Sequence, residues 1–97
     1  MFTSKERSNL RAMAQNIKPV TQVGKGGISD ALVQSLSQAL EARELIKISV
    51  LNNVDDDARE IAESLAAALH AEVVAVIGKK VILYRKSSRK DIDHIVF

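Results

Sequence analysis

The 97-residue chain has no cysteine and no tryptophan, one proline, four glycines, one tyrosine and two phenylalanines. Without cysteine there can be no disulfide, no thiolate metal site and no thiol nucleophile. The single proline, Pro19, leaves one place where the preceding residue is forced out of helical geometry. No apolar run approaches the ~20 residues that a membrane-spanning helix needs. The opening Met1-Phe2-Thr3-Ser4-Lys5-Glu6-Arg7 is not the basic-then-apolar pattern of a secretory leader, so the expected location is the cytoplasm and no membrane partner is expected. What is present is ordinary for a folded domain. Hydrophobic residues make up 46% of the chain and charged residues 27%. That balance argues against disorder and for one domain that removes roughly two thirds of its unfolded surface from water.

The net charge of +2 hides an uneven distribution. Residues 1–40 carry five basic and two acidic side chains, residues 41–72 three and eight, and residues 73–97 six and two. Both ends of the chain are basic and the middle is acidic. If the ends meet in space they form one positive face; otherwise they are separate solvated clusters.

The pattern predicts the order α-β-α-β-α-β-β. Thr3 and Glu6 form a capping box for a first helix over 4–15, with Leu10, Met13 and Ala14 on its apolar stripe. A short strand over 20–23 leads into Gly24-Lys25-Gly26-Gly27, and Ser29 caps a second helix over 30–43. Residues 45–51 read as a strand and 56–69 as a third helix. Residues 73–77 and 81–85 form a hairpin about Gly78-Lys79. Two strand-helix-strand units followed by a hairpin imply a mixed sheet, with parallel pairing across both crossovers and antiparallel pairing in the hairpin. The expected class is a single α/β (α+β) domain over 1–86, followed by a basic and apolar tail over 87–97. In that tail Ile92, Ile95, Val96 and Phe97 are available to dock on the domain or on a partner.

The glycine turn is the first candidate site. A strand, glycines and a helix start let backbone N–H groups approach an oxyanion, and Lys25 adds a mobile cation. The turn does not match the Walker A spacing, and Ser29 stands where a dinucleotide fingerprint needs its last glycine. It does match the Gly-x-x-Gly clamp with which some folds hold a nucleic-acid backbone. Four residues with two fixed positions also describe a plain turn whose glycines only satisfy backbone conformation.

In its context the turn is more specific. Val23-Gly24-Lys25-Gly26-Gly27-Ile28, Glu44-Leu45-Ile46-Lys47-Ile48 and the run from Val76 to Arg85 occur in an order and spacing that resemble the CRM domain. This is the RNA-binding module named for chloroplast RNA splicing and ribosome maturation. More closely, the chain looks like its stand-alone bacterial, YhbY-like form, over about Lys5 to Lys86. The resemblance implies a mixed four-stranded sheet with helices packed against it, similar to the C-terminal domain of translation initiation factor three. It also implies binding to ribosomal RNA in large-subunit precursors, through Gly24, Lys25, Gly26 and Gly27.

Charge and position add Arg7, Arg11, Lys79, Lys80 and Arg85 as expected RNA contacts. Residues 79–90 hold six basic side chains and no acidic one. Lys47 alternates with apolar neighbours and must point to the opposite face, toward RNA or along a sheet edge. With so few aromatics, recognition should rest on backbone shape and charge more than on base stacking, and Tyr84 is expected in the core. Asp55-Asp56-Asp57 fits a helix N-terminus better than a metal site, because consecutive residues splay apart. His70 and His94 sit in no catalytic or metal pattern. The expectation is a monomeric RNA-binding protein without cofactor, metal or catalytic residues. The alternatives are a protein-interaction adaptor using the acidic third helix, the loop before it and the apolar tail, and a phosphate-substrate enzyme, which lacks a general base near the turn.

Overall fold

The computed structural model describes residues 2–24, 27–51 and 57–97. The elements follow the expected order: α1 (Ser4–Ala14), β1 (Thr21–Val23), α2 (Asp30–Arg43), β2 (Leu45–Val50), α3 (Ala58–Leu69), β3 (Glu72–Ile77) and β4 (Lys80–Tyr84). Local chemistry sets their ends. The Thr3 hydroxyl accepts from the Glu6 amide at 3.1 Å and the Glu6 carboxylate accepts from the Thr3 amide at 2.9 Å. Together they complete a capping box. Ser29 and Asp57 cap α2 and α3 by accepting from the amides of Leu32 and Glu60. Asp57 thus serves a helix start, as its position suggests. Asp55 and Asp56 lie outside the described residues. α3 stops at His70, whose φ of 54° is left-handed, a common way to end a helix. Gly78, at φ 59°, turns the β3–β4 hairpin, a conformation that glycine adopts freely.

The sheet order is β1-β2-β4-β3. β1 pairs with β2 in parallel, and β4 pairs antiparallel with both β2 and β3. This corrects the expectation that β3 would pair with β2 in parallel: β4 lies between them. Burial explains the choice. Val81 to Tyr84 is an unbroken buried run suited to an interior strand, whereas β3 is half-buried along most of its length and suits an edge.

Each face of the sheet carries its own core. Ile46, Ile48 and Val50 of β2 and Val81 and Leu83 of β4 pack with Leu36 and Leu40 of α2 and with Ile61, Ala62, Leu65 and Leu69 of α3. On the other face Leu45, Val74, Ile82 and Tyr84 pack with Leu10 and Ala14 of α1. Phe2, Tyr84 and Phe97 form an edge-to-face triad there. The Phe2 ring centroid lies 5.5 Å from that of Tyr84 and 5.5 Å from that of Phe97, and the last two are 5.0 Å apart. The tail therefore docks back on the domain through Ile95 and Phe97, while Val96 is exposed. No helix among the described residues is long and apolar enough to cross a membrane.

Candidate nucleic-acid interface

Two candidate loops are brought to one end of the sheet. The Leu51 amide donates to the Val23 carbonyl at 2.9 Å, which sets the end of β2 beside the start of the glycine turn. The Val50 amide donates to the Lys79 carbonyl at 2.7 Å, which sets the β3–β4 hairpin on the other side of that same strand end. Gly24 lies close to β2: a Cβ on it would meet Leu51 Cδ1 at 3.4 Å. The turn is closed by the Gly27 amide donating to the Gly24 carbonyl at 2.9 Å, and Gly27 has a φ of 70°. That conformation favours glycine. Lys25 and Gly26 lie outside the described residues.

The second part of the site is the sheet face that α1 leaves uncovered. Register places Lys47 opposite Ile82 and Ser49 opposite Lys80, so all four share the α1 face. The Lys80 ammonium donates to the Ser49 hydroxyl. β2 is an interior strand, so Lys47 lies over the middle of the sheet and not at an edge. Together with Arg11 of α1, with Gln15 that caps its C-terminal end and with Ile77, Lys47, Lys80 and Ile82 line a recess beside the helix. A groove along β3 continues from it, lined by Arg7, Arg11 and Arg59.

The expected contacts divide accordingly. Arg11 and Lys80 line the recess and Lys79 is exposed at the hairpin. Arg7 is partly committed to the fold. One of its Nη atoms donates to the carbonyls of Val73 at 2.5 Å and Val74 at 2.8 Å. Its guanidinium lies 5.6 Å from the centre of the Phe2 ring, within cation–π reach. Those carbonyls flank a bulge in the edge strand β3, so Arg7 also blunts an edge open to pairing. Arg85 is committed to the fold more fully. Its guanidinium donates to the carbonyls of Leu69 and Ser37, to the Ser37 hydroxyl and to Glu41. Its amide donates to the Glu44 carbonyl, which puts it at the opposite end of the sheet from the glycine turn, on the α2–α3 side. A basic residue after a strand reads from sequence as a surface cation; only the packing of α2 against the end of α3 reveals its part-buried acceptors.

Arg59, which lines the groove, and Gln15, which lines the recess, are candidates that sequence reasoning misses. Arg59 sits in the net-acidic segment, where a charge tally conceals it, and Gln15 carries no signal of its own. His94, without any motif around it, pairs through Nδ1 with Glu44 at 2.6 Å. No group of three metal-binding side chains occurs among the described residues.

The fold is thus a mixed four-stranded sheet with helices on both faces and a glycine turn at the end of its parallel pair. The chain belongs to the CRS1/YhbY (CRM) domain family, whose model matches residues 2–85. It is 42% identical over 87 residues to the probable RNA-binding protein YqeI of Bacillus subtilis, covering 90% of this chain and 91% of the relative. A probable RNA-binding protein of Methanocaldococcus jannaschii is 41% identical over 86 residues, covering 87% of this chain and 63% of the relative. The solution structure of a hypothetical protein from Staphylococcus aureus, described as a putative RNA binding protein, superposes with a TM-score of 0.78 at 44% identity, covering 94% of this chain and 95% of that one.

Proposed function

We propose that this chain binds structured RNA by its sugar–phosphate backbone, without catalysis. The grip consists of Gly24-Lys25-Gly26-Gly27 together with Arg11, Lys47, Lys79 and Lys80, and the ligand is ribosomal RNA in large-subunit precursors. The observation that carries the reading is the shared strand end: one end of β2 bonds both to Val23, next to the glycine turn, and to Lys79 of the hairpin. Several cations spread from a glycine turn across a sheet face suit a chain of phosphates better than an isolated anion. The names of the Bacillus and Methanocaldococcus relatives, both called probable RNA-binding proteins, agree with RNA as the ligand. The adaptor reading is weaker, because Asp57 serves to cap α3 and the apolar tail packs on its own domain through Ile95 and Phe97. Such a ligand implies a cytoplasmic location.

Co-sedimentation with ribosomal particles in a low-salt lysate tests it. Wild type should travel with large-subunit particles, and a folded Lys25→Asp/Gly26→Asp variant should stay at the top of the gradient. If the variant sediments like wild type, the turn is not the grip. If neither protein moves with particles, the ribosomal assignment falls.

A further inference from the structure

The recess beside α1 has a character that a backbone grip does not require. Its floor is apolar: Ile82 is buried, and Ile77, at the end of the edge strand, is 49% exposed. Its rim carries three cations, Arg11, Lys47 and Lys80, and no carboxylate is among its lining residues. None of the three cations is in an ion pair among the described residues. Gln15 contributes an amide, the one lining side chain with both donors and an acceptor at its tip.

We propose that this recess is a subsite for one unpaired RNA nucleotide, with its base against Ile77 and Ile82 and its phosphate at Lys47 and Lys80. The Arg11 guanidinium supplies a plane on which the base can stack, a role that arginine shares with aromatic side chains. The Gln15 amide can pair with the edge of the base. An A-form duplex offers sugars and phosphates but keeps its base faces stacked inside, so it has no use for an exposed isoleucine floor. A small anion would use the cations and leave the floor wet. An unpaired nucleotide matches both. The proposal rests on the RNA-binding reading and deepens it: the glycine turn and hairpin hold backbone, and the recess selects RNA with an unstacked base beside the helix it holds.

Fluorescence anisotropy with a short unstructured oligoribonucleotide, and with the same strand annealed to its complement, tests the subsite. Ile77→Ala and Gln15→Ala change exposed side chains, and circular dichroism checks that both variants fold. Each should weaken single-strand binding by about tenfold and leave duplex binding and the salt dependence unchanged. Lys80→Ala should instead lower the slope of log affinity against log salt by about one. Single-strand binding equal to wild type in both Ile77→Ala and Gln15→Ala overturns the subsite, as does equal weakening toward duplex. Lys25→Asp/Gly26→Asp separates the two ideas. If it abolishes binding of both RNAs while Ile77→Ala and Gln15→Ala weaken neither, the backbone grip stands and the subsite falls. If wild type binds neither RNA, both fall.

Discussion

Glu44 Oε2 lies 2.6 Å from His94 Nδ1, and this pair fastens the C-terminal segment to the end of α2. Glu44 ends α2 with a φ of 66°. A side chain with a Cβ adopts that conformation only under strain. Its carboxylate is buried, yet it accepts from the amides of Ser87 and Ile95, each at 2.7 Å, as well as meeting His94. Burial alone would raise its pKa; the hydrogen bonds from His94, Ser87 and Ile95 and the charge of His94 outweigh burial and hold it below its ordinary value. The strain is thus retained by a carboxylate with three partners, all within residues 87–97.

A pH dependence follows from that lowered pKa. A carboxylate that is more acidic folded than unfolded adds stability above its unfolded pKa, and that contribution is lost as pH falls through the folded value. Stability should therefore decline below about pH 4.5. Glu44→Gln should cost about 2 kcal/mol at neutral pH, the scale of a hydrogen bond to a charged group, and should flatten the acid decline. Urea denaturation of both proteins at pH 7 and pH 4 checks this. Parallel losses of stability on acidification would show that other carboxylates carry the effect.

Arg85 and Arg11 should separate stability from binding. Arg85→Ala removes the guanidinium that donates to the Leu69 and Ser37 carbonyls. It should cost about 2 kcal/mol of stability, with RNA affinity unchanged at a temperature where the variant is folded. Arg11→Ala should change stability by less than about 0.5 kcal/mol, as exposed positions do, and weaken RNA binding. Thermal unfolding combined with a binding titration reads both. The reverse pattern would move the interface to the α2–α3 side.

Tyr84 reports the docking of the chain ends. Removal from water, then the negative charge of Glu44, raises its phenol above the ordinary tyrosine value. Phe97→Ala opens one side of the aromatic triad and should bring the phenol back toward that value, at a cost of about 1 kcal/mol for the lost ring pairs. Spectrophotometric titration of this single tyrosine is a direct measurement. An unchanged midpoint would mean that Phe97 does not shield it.

The fold was legible from the sequence where the signals are local. Thr3 with Glu6, Ser29 before α2 and Gly78 in the hairpin each act within about one turn of chain, and the element order followed from them and from apolar periodicity. The partner of β3 was not legible, because it depends on which of two apolar strands is buried on both faces, and composition barely distinguishes β3 from β4. The site divides along the same line. Gly24 to Gly27 is a contiguous motif, so sequence alone suffices to propose it. Arg59 joins the groove and Gln15 the recess through tertiary packing alone, and Arg85 is drawn into the fold because Ser37, Glu41 and Leu69 converge on it from remote parts of the chain.

Gly27 allows a test of backbone conformation that involves no packing. A Cβ at this position would meet nothing within 4 Å, so a side chain is opposed only by the φ of 70°. Gly27→Ala should therefore destabilise by about 1 kcal/mol, the left-handed penalty for a residue with a Cβ. Gly24→Ala differs in kind. Its φ is not left-handed, and the new methyl meets Leu51 Cδ1 at 3.4 Å, a contact that a small side-chain shift relieves. Its stability cost should be smaller. If the turn presents its amides to a phosphate, Gly27→Ala should also weaken RNA binding beyond any loss of folded protein. Affinity measured well below the midpoint of thermal unfolding separates the two effects. Wild-type affinity in a folded Gly27→Ala variant would show that the glycine serves the turn alone and that the cations hold the RNA without it.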